Sequence, residues 1–487
     1  MLFRLALAVV SGFVAAAAPG IAQIPPPRAL SPEAALDDVR LARRAIETIH
    51  PGLDRYGAPG ITGAAFDVLE RESESGITDQ RLYALLSAAL ASVRCSHTKA
   101  EPWKEWTAAR ETGATYFPLR FREESGRMLV ARSASPAIIA ADEVIAIDGV
   151  PAGVIMATIL NAVPADGWTD GARRFALFNS SDLDECEFDH YYPFYFGGGG
   201  ERVIEVRTAG ATRSRLARVS LVTRAARREA LRQPAAARNL DESITLTFPQ
   251  EGVALLRIGT FVAYRKQLDP ETIYRPYFEE IATKGAASLI IDLRSNGGGS
   301  DEAALDLLRF IAKEPFAPRG SRWVKAYRFG DLRDKLETWD PSVLDMPDEA
   351  FRKLENGYYE VLSPQVPAFA PLAPAFTGRV IALCGPANAS GATLCLATMR
   401  SRFGVTLAGE PTGGSADGPT AGIIFFVTLP NSGIRVRVPA IRSVSGMNDA
   451  AAAGGLTPDV DVRSTLADEL AGRDPVLEAA LGLAQRR

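Results

Sequence analysis

Ser390 stands where a nucleophilic side chain would be easiest to build. The segment 384–395 reads CGPANASGATLC: an apolar run ends at Gly385-Pro386, small residues flank the serine, and a helical pattern follows. A nucleophilic serine needs an exposed strand-to-helix turn, room for substrate, and backbone N–H groups directed at the developing oxyanion. The amide of Gly391 lies at a helix start, where N–H groups have no intrahelical acceptor. Serine is also a common helix cap, so the segment leaves both roles open.

A glycine-rich loop upstream offers further amide groups. The buried-type strand ASLIIDLR ends at Arg294, then Asn296 precedes three glycines at 297–299, and a helical pattern begins near Asp301. Glycines adopt conformations closed to other residues and can expose N–H groups to an anion. The loop lacks the Gly-Lys-Ser/Thr of a phosphate-binding loop and the spacing of a dinucleotide fingerprint. It is therefore either an anion cradle, including for an oxyanion, or a plain strand-to-helix turn.

One of the three histidines is placed to act as a general base. His50 lies at the end of a predicted helix, where a positive charge suits the dipole, and His190 lies among aromatic residues that favour packing. His97, in SVRCSHTKAE, has hydroxyl residues on both sides, and a hydroxyl beside an imidazole can fix its tautomer. No lysine follows Lys353, which excludes a lysine base downstream of the serine and leaves Lys99 as a remote candidate.

These residues fall in three predicted regions. Residues 23–112 carry helical patterns and form a small helical domain that contains His97. Residues 113–240 change towards a period of two, which predicts a β-rich domain that ends in an Ala/Arg-rich linker or solvated helix. Residues 241–487 alternate buried-type strands with helical patterns, which predicts an α/β core. Residues 315–375 lack clear strand patterns and are predicted to form a helical excursion over that core.

The remaining composition narrows the function classes. Residues 1–22 have a positive start, an apolar stretch and small residues at the end, which predicts a secretory signal peptide and export, to the periplasm in a Gram-negative host or to the extracellular space. No later apolar run predicts membrane insertion after signal cleavage. The formal net charge of −4 gives no basic surface for nucleic acid.

The four cysteines and three histidines show no zinc-site spacing, so no metal is expected. Cys384 and Cys395 either form a disulfide or are buried small residues.

Three segments, in this order, resemble the core of the tail-specific (C-terminal-processing) serine protease family. They read LIIDLRSNGGGS, RVIALCGPANASGATL and GVTLAGEPTGGSADG, and AAAAGGLTPDVDV resembles the family's closing Gly-x-x-Pro-Asp segment. The resemblance covers most of residues 250–465. It implies an α/β fold with a crotonase-like ββα-spiral protease core at 241–487, preceded by the N-terminal helical domain and a degenerate PDZ-like β-rich domain.

The resemblance implies roles for the serine turn and the glycine loop. Ser390 would be the nucleophile, and the amides of Gly391 and Gly298, or alternatively Gly297, would form the oxyanion hole. One branch of the family has a lysine in a Gly-Glu-x-Thr-x-Gly-Lys segment. Here GEPTGGS has Ser415 at that place, so the chain departs from the Ser-Lys branch.

The tricorn-like branch of the family uses a histidine preceded by serine at the end of an N-terminal helical domain. Ser96 and His97 match that pair, with His97 as general base and Ser96 orienting it. The branch also has a late glutamate that orients this serine. The nearest acidic residue before the closing segment here is Asp449, which is the residue we assign to that role.

The function these features predict is an exported serine peptidase that acts on a peptide or protein through an acyl-enzyme on Ser390, with no metal and no cofactor. Two alternatives remain. A non-catalytic carrier of apolar ligands could use the same scaffold, as interphotoreceptor retinoid-binding modules do, and the aromatic stretch 188–196 would suit it, although local core packing is the other reading of that stretch. A serine hydrolase for esters or other acyl substrates would need the same nucleophile and oxyanion hole.

Overall fold

The computed structural model describes residues 24–179, 185–232, 237–317, 320–362, 368–444 and 454–486. The predicted signal segment 1–22 and Asp449 lie outside these residues.

The described part of the N-terminal region consists mainly of helices. Its elements are β1 (Ala29–Leu30), α1 (Pro32–Ile49), α2 (Ile61–Ser73), β2 (Ile77–Thr78), α3 (Asp79–Ala91), β3 (Lys99–Glu101) and α4 (Lys104–Thr112). Helix α1 begins after Ser31, whose side chain accepts a hydrogen bond from the amide of Ala34, with Pro32 in the first turn. The pair Ser96-His97 lies between the end of α3 and β3, so both elements position it.

The β-rich region follows as an antiparallel sheet with helices on it. Its elements are β4 (Leu119–Glu124), β5 (Arg127–Ser133), β6 (Glu143–Ile147), β7 (Val150–Pro151), α5 (Ala152–Leu160), α6 (Asp170–Phe178), α7 (Glu187–Phe196), β8 (Glu201–Arg207), β9 (Arg215–Ser220) and α8 (Arg224–Ala230). The strand order is β4-β5-β6-β8-β9, with β7 paired to β6.

The aromatic stretch 188–196 is core, not surface. Phe188, Tyr191 and Tyr192 of α7 are buried, and the ring of Phe194 stacks on Trp106 of α4 with centroids 4.0 Å apart. Helix α7 therefore joins the β-rich region to the helical region through apolar packing.

The predicted linker is held in place by a buried ion pair. Arg227 of α8 is 1% exposed and its Nη1 lies 2.7 Å from Asp189 Oδ1 in α7. The alternative of a freely solvated helix at 224–240 is therefore wrong for α8.

The C-terminal region contains the predicted α/β alternation. Its first set of elements is β10 (Ile244–Gln250), β11 (Val253–Ile258), α9 (Pro270–Thr283), β12 (Ser288–Asp292), α10 (Asp301–Ile311), β16 (Arg379–Cys384), α11 (Ser390–Phe403), β17 (Thr406–Gly409), β20 (Val460–Asp461), α12 (Leu466–Leu470) and α13 (Pro475–Ala484). The sheet order is β10-β11-β12-β16-β17-β20, parallel from β11 onwards. Because β12 and β16 are parallel neighbours, the glycine loop after β12 and the serine turn after β16 meet at the same edge of the sheet.

A second sheet completes the region and corrects one expectation. Its strands are β13 (Ser321–Val324), β14 (Phe351–Lys353), β15 (Tyr359–Val361), β18 (Thr420–Thr428) and β19 (Arg435–Val444), in the order β14-β15-β13-β19-β18, with β3 also paired to β19. The segment 315–375 was expected to be helical, and in its described residues it instead contributes three short strands and 3₁₀ turns. Strands of three or four residues are too short for an alternating pattern to stand out in the sequence.

The four cysteines are free and buried. Cys384 Sγ donates to the carbonyl oxygen of Glu410, whereas Cys395 Sγ contacts that of Ala304. The disulfide between Cys384 and Cys395 is therefore not formed.

Within the described residues, we find no helix with the length and apolar character that crossing a bilayer requires.

Candidate active site

The serine turn holds Ser390 in a strained backbone conformation. Strand β16 ends at Cys384, and the helix α11 begins at Ser390 itself, with Ala389 as its cap residue. Ser390 has φ of 48°, in the left-handed region that non-glycine residues seldom occupy and that concentrates at functional sites. The expected alternative of a capping serine is wrong, because the serine is the first helical residue and no side chain caps this helix.

The glycine loop packs directly against the serine turn. A Cβ on Gly298 would lie 2.9 Å from the carbonyl oxygen of Ala389 and 3.1 Å from the amide nitrogen of Gly391. A Cβ on Gly299 would lie 2.3 Å from the carbonyl carbon of Phe261. Both glycines also have positive φ, 105° and 143°, so the close approach and the conformation each require glycine.

Two buried asparagines fasten the turn to the loop. The side chain of Asn388 accepts from the amide of Gly385 at 2.7 Å and donates to the carbonyl oxygens of Leu293 and Asn296. Asn296 accepts from the amide of Gly298 at 2.9 Å and donates to the carbonyl oxygen of Ile258. Neither asparagine is exposed, so these bonds are made in a dry environment where an unpaired group is costly.

The amides available to an oxyanion differ from the expected set in one respect. The Gly298 amide is already bonded to Asn296, whereas the amides of Gly297, Gly299 and Gly391 have no acceptor among the residues that the structure describes. A Cβ on Gly391 would lie 3.9 Å from the nitrogen of Gly299, so these two amides are neighbours beside Ser390. The structure therefore favours Gly391 paired with Gly299, or with the predicted alternative Gly297, over Gly391 paired with Gly298.

His97 and Ser390 line the same cleft, which has a volume of about 940 Å³. No hydrogen bond joins the two side chains, both of which the structure describes. Ser96 Oγ lies 3.2 Å from His97 Nδ1, which leaves Nε2 as the second ring nitrogen. Burial lowers the pKa of His97 below its ordinary value, and Arg437 and Lys99 lower this pKa further, against the opposing effect of Asp166. A neutral imidazole is the form that a general base requires.

The structure reveals an acidic partner of the pair that the sequence did not indicate. The backbone amide and the hydroxyl of Ser96 each donate to Asp166, at 2.8 Å to Oδ1 and 2.8 Å to Oδ2. Asp166 lies 70 residues from Ser96, in the turn between α5 and α6. No spacing in the sequence connects these positions; the only signal was a polar turn after an apolar helix. Asp449, the predicted acidic member, lies outside the described residues.

The other two histidines have structural roles. His50 is 1% exposed, its Nδ1 accepts from the amide of Gly52, and burial lowers its pKa to about 3. His190 bonds Tyr83 Oη through Nε2 at 2.7 Å, and burial lowers its pKa to about 4. The expected positive charge on His50 at the helix end is therefore wrong, because the buried ring is neutral. Lys99 is not among the residues that line the cleft.

The one described cluster with metal-ligand atoms close together is Cys95, His97 and Asp166, whose ligand atoms lie within 4.8 Å of one another. Burial raises the pKa of Cys95 to about 12, and its Sγ donates to the carbonyl oxygen of Thr420. Both oxygens of Asp166 already accept bonds from Ser96. A metal needs a thiolate and free carboxylate oxygens, so this donor set does not suit one.

The mouth of the cleft carries two exposed aromatic side chains, Tyr264 at 62% and Trp339 at 72%. Trp339 belongs to the excursion 315–375, and Glu337 exchanges two backbone hydrogen bonds with Phe426 of β18 to hold that segment beside the cleft. Charged residues of both signs line the walls: Arg322, Arg437, Asp301 and Glu302. A cleft with apolar and charged side chains suits an extended, chemically varied ligand such as a peptide.

Comparison with known proteins gives one family and a set of similar folds. Residues 252–462 match the model of peptidase family S41. No curated protein matches the chain. Among solved structures, mature CPAF complexed with lactacystin is 14% identical over 93% of this chain and 98% of that chain, with a TM-score of 0.63. Mature CPAF is 15% identical over 90% of this chain and 94% of that chain, with a TM-score of 0.61. At these identities the likeness concerns the fold.

Proposed function

We propose that this chain, which belongs to peptidase family S41 through residues 252–462 and is a serine-type peptidase, cleaves peptide bonds with Ser390 as nucleophile and His97 as general base. The observation that supports this assignment is the meeting of both side chains in one cleft, beside the free amides of Gly391 and Gly299. The peptidase class follows from the family; the pairing of Ser390 with His97 is our proposal.

The proposed reaction begins with a proton transfer. His97 Nε2 removes the proton of Ser390 Oγ while that oxygen attacks the carbonyl carbon of the scissile bond. The negative charge that develops on the carbonyl oxygen is held by the amides of Gly391 and Gly299, and one such donor lowers the barrier by about 3 kcal/mol. His97 then returns the proton to the leaving amine, and an acyl-enzyme on Ser390 remains. Water, activated by His97, releases it.

Labelling with a fluorophosphonate probe tests the assignment. The wild-type protein should label, and Ser390→Ala should not, with a loss of kcat of about 10⁶-fold. His97→Ala should label far more slowly, because the hydroxyl has lost its base. Ser432→Ala is a matched control, since Ser432 is a buried serine outside the cleft and should leave labelling unchanged. Labelling that persists in Ser390→Ala would place the nucleophile elsewhere.

The alternative of an apolar-ligand carrier was based on the aromatic stretch 188–196, and it is disfavoured because those side chains pack against the helical region.

An ester or other acyl substrate would use the same proposed groups. Parallel assays with a peptide and an ester of the same acyl residue separate that alternative: a peptidase should retain a substantial kcat/KM on the peptide.

Export is a further part of the proposal, and it rests on the sequence of residues 1–22. In a Gram-negative host the mature protein should be recovered from the periplasm with a new N-terminus near residue 23. Recovery from the cytoplasm with Met1 retained would contradict export.

A further inference from the structure

We propose that Asp166, in the turn between α5 and α6 of the β-rich region, is a positioning residue that selects the tautomer of His97 through Ser96. The inference rests on the proposed role of His97 as the base. The resemblance implies a carboxylate in this role late in the chain, whereas Asp166 comes from the β-rich region, which the family match at residues 252–462 does not include.

The geometry forms a chain of three side chains. Asp166 is 3% exposed, and its Oδ2 accepts the hydroxyl proton of Ser96 at 2.8 Å. Its Oδ1 accepts from the amide of the same serine at 2.8 Å, so the carboxylate holds Ser96 with two hydrogen bonds. Ser96 Oγ in turn lies 3.2 Å from His97 Nδ1.

The direction of these bonds determines where the imidazole proton lies. A serine hydroxyl has one proton, and here that proton is directed to Asp166. Towards His97 the hydroxyl can therefore offer only a lone pair, so Nδ1 must carry a proton and donate it. The neutral ring then has a bare Nε2, which is the atom that must accept the proton of Ser390. Without the carboxylate, the hydroxyl is free to donate to Nδ1, and the ring proton moves to Nε2, where it blocks the base.

The turn that carries Asp166 is clamped to the end of the helical region. The amide of Gly167 donates to the carbonyl oxygen of Arg94 at 3.0 Å, and Arg94 Nη1 donates back to that of Gly167 at 3.1 Å. The guanidinium of Arg94 also lies 3.8 Å from the ring centroid of Trp168 and pairs with Asp170. These contacts fix Asp166 relative to Ser96, so the interface between the β-rich region and the helical region positions the carboxylate.

Several other titratable or charged groups act on His97 from the elements around it. Lys99 of β3 and Arg437 of β19 lower its pKa, and the neutral His50 at the end of α1 also lies near it. Cys95 is a protonated thiol. Asp166 is the one carboxylate that raises the pKa of His97 in this set. Its removal should therefore move the acid limb of kcat/KM to lower pH, which a purely structural role would not do.

The tautomer can be observed directly, because the full chain contains three histidines. In protein labelled with ¹⁵N-histidine, the ring nitrogen shifts report which atom carries the proton. His50 is an internal reference for the opposite form, since its Nδ1 accepts a hydrogen bond and its proton must lie on Nε2. The His97 signals, assigned with His97→Gln, should show an Nδ1 proton in the wild type. In Asp166→Asn they should change to the pattern of His50.

Kinetics supply the second readout. Asp166→Asn should lower kcat by about 10²-fold or more, up to the roughly 10⁴-fold loss known when a wrong tautomer is imposed on a serine protease histidine. Glu201→Gln is the control: it removes a carboxylate from the same β-rich region, where Glu201 Oε1 accepts from Arg218 Nη1 at 2.8 Å. It has no bond to Ser96 or to the turn of Asp166, so it should keep the tautomer and the pH profile. Because Asp166 acts through Ser96, Ser96→Ala combined with Asp166→Asn should lose no more activity than Ser96→Ala alone.

The outcomes separate this inference from the proposed function. If Ser390→Ala still labels with the fluorophosphonate, the proposed function itself is wrong. If Ser390→Ala blocks labelling while Asp166→Asn keeps the Nδ1 proton of His97 and the wild-type kcat, the role of Asp166 is wrong. A folded Asp166→Asn protein, by circular dichroism, with the His97 proton on Nε2 and a reduced kcat supports it.

Discussion

The two halves of the candidate site are built in different ways. The nucleophile half comes from two neighbouring strand ends of one parallel sheet, and Asn388 and Asn296 tie the serine turn to the glycine loop within that sheet. The base half is assembled from distant segments: the end of α3 supplies Ser96 and His97, and the turn before α6 supplies Asp166. Strand β3, just after His97, pairs with β19 of the C-terminal region. If Ser390 and His97 act together as proposed, catalysis depends on local rigidity in one half and on the docking of regions in the other.

The strongest test of the nucleophile half is to disturb the contact between its two loops. Gly298→Ala places a Cβ 2.9 Å from the carbonyl oxygen of Ala389 at a φ that alanine resists, so the turn and the oxyanion donors must shift. We expect kcat to fall by about 10²- to 10³-fold, the loss typical of one displaced oxyanion donor. Gly285→Ala is the matched control, since Gly285 also has a positive φ, of 64°, but open space around its Cβ position. Equal losses in both variants would show that backbone strain, not the loop contact, is responsible.

The second test concerns the hydrogen bonds with which Asn388 ties the serine turn to the glycine loop in the nucleophile half. Asn388→Ala leaves the buried amide of Gly385 and the carbonyl oxygens of Leu293 and Asn296 without their side-chain partner. The free energy of unfolding, measured in urea, should fall by about 2–3 kcal/mol. Asn179→Ala, which removes one exposed bond to the carbonyl oxygen of Phe175, should change it by less than about 0.5 kcal/mol. A similar small change for Asn388→Ala would mean that the two loops hold together without it.

The third test concerns the electrostatics of the base half. Protonation inactivates the base, and burial lowers the pKa of His97 from 6.5, so the acid limb of kcat/KM should lie below pH 6.5 and activity should persist as the pH falls towards it. Lys99→Gln removes a cation that lowers this pKa and should move the limb to higher pH. Lys104→Gln, on the exposed start of α4, should leave it in place. A wild-type limb above pH 6.5 would contradict the buried, neutral base.

The smallest effect is expected at the mouth of the cleft. Trp339 is exposed and packs edge-on against Phe426 with ring centroids 5.3 Å apart, so its loss should not affect folding. Trp339→Ala should raise KM for a peptide substrate by about fivefold, equivalent to roughly 1 kcal/mol of lost apolar contact, with kcat unchanged. Leu216→Ala removes a similarly exposed apolar side chain, at 71%, outside the cleft and is the control. An unchanged KM in Trp339→Ala would mean that Trp339 of the excursion 315–375 does not contact the substrate.

The sequence predicted the nucleophile half of the candidate site better than the base half. The strand–glycine loop–helix and strand–serine turn–helix units are local patterns, so their residues and their meeting at one sheet edge were predictable from the parallel order. Asp166 reaches Ser96, and Trp339 reaches the cleft, through tertiary docking over long separations, which periodicity does not encode. The availability of the Gly298 amide depends on a side-chain bond of Asn296, which no sequence pattern showed. Of the short strands in 315–375, β13 pairs with β19, and β15 pairs with β13 and β14.

The most direct test of the paired site is alkylation by a peptidyl chloromethyl ketone, followed by peptide mapping. This reagent binds as a substrate, is attacked by the nucleophilic serine, and then alkylates the adjacent base. The wild-type protein should carry the adduct on His97, and the adduct should vanish in Ser390→Ala. An adduct on His50 or His190, or on His97 regardless of Ser390, would contradict the pairing of Ser390 with His97.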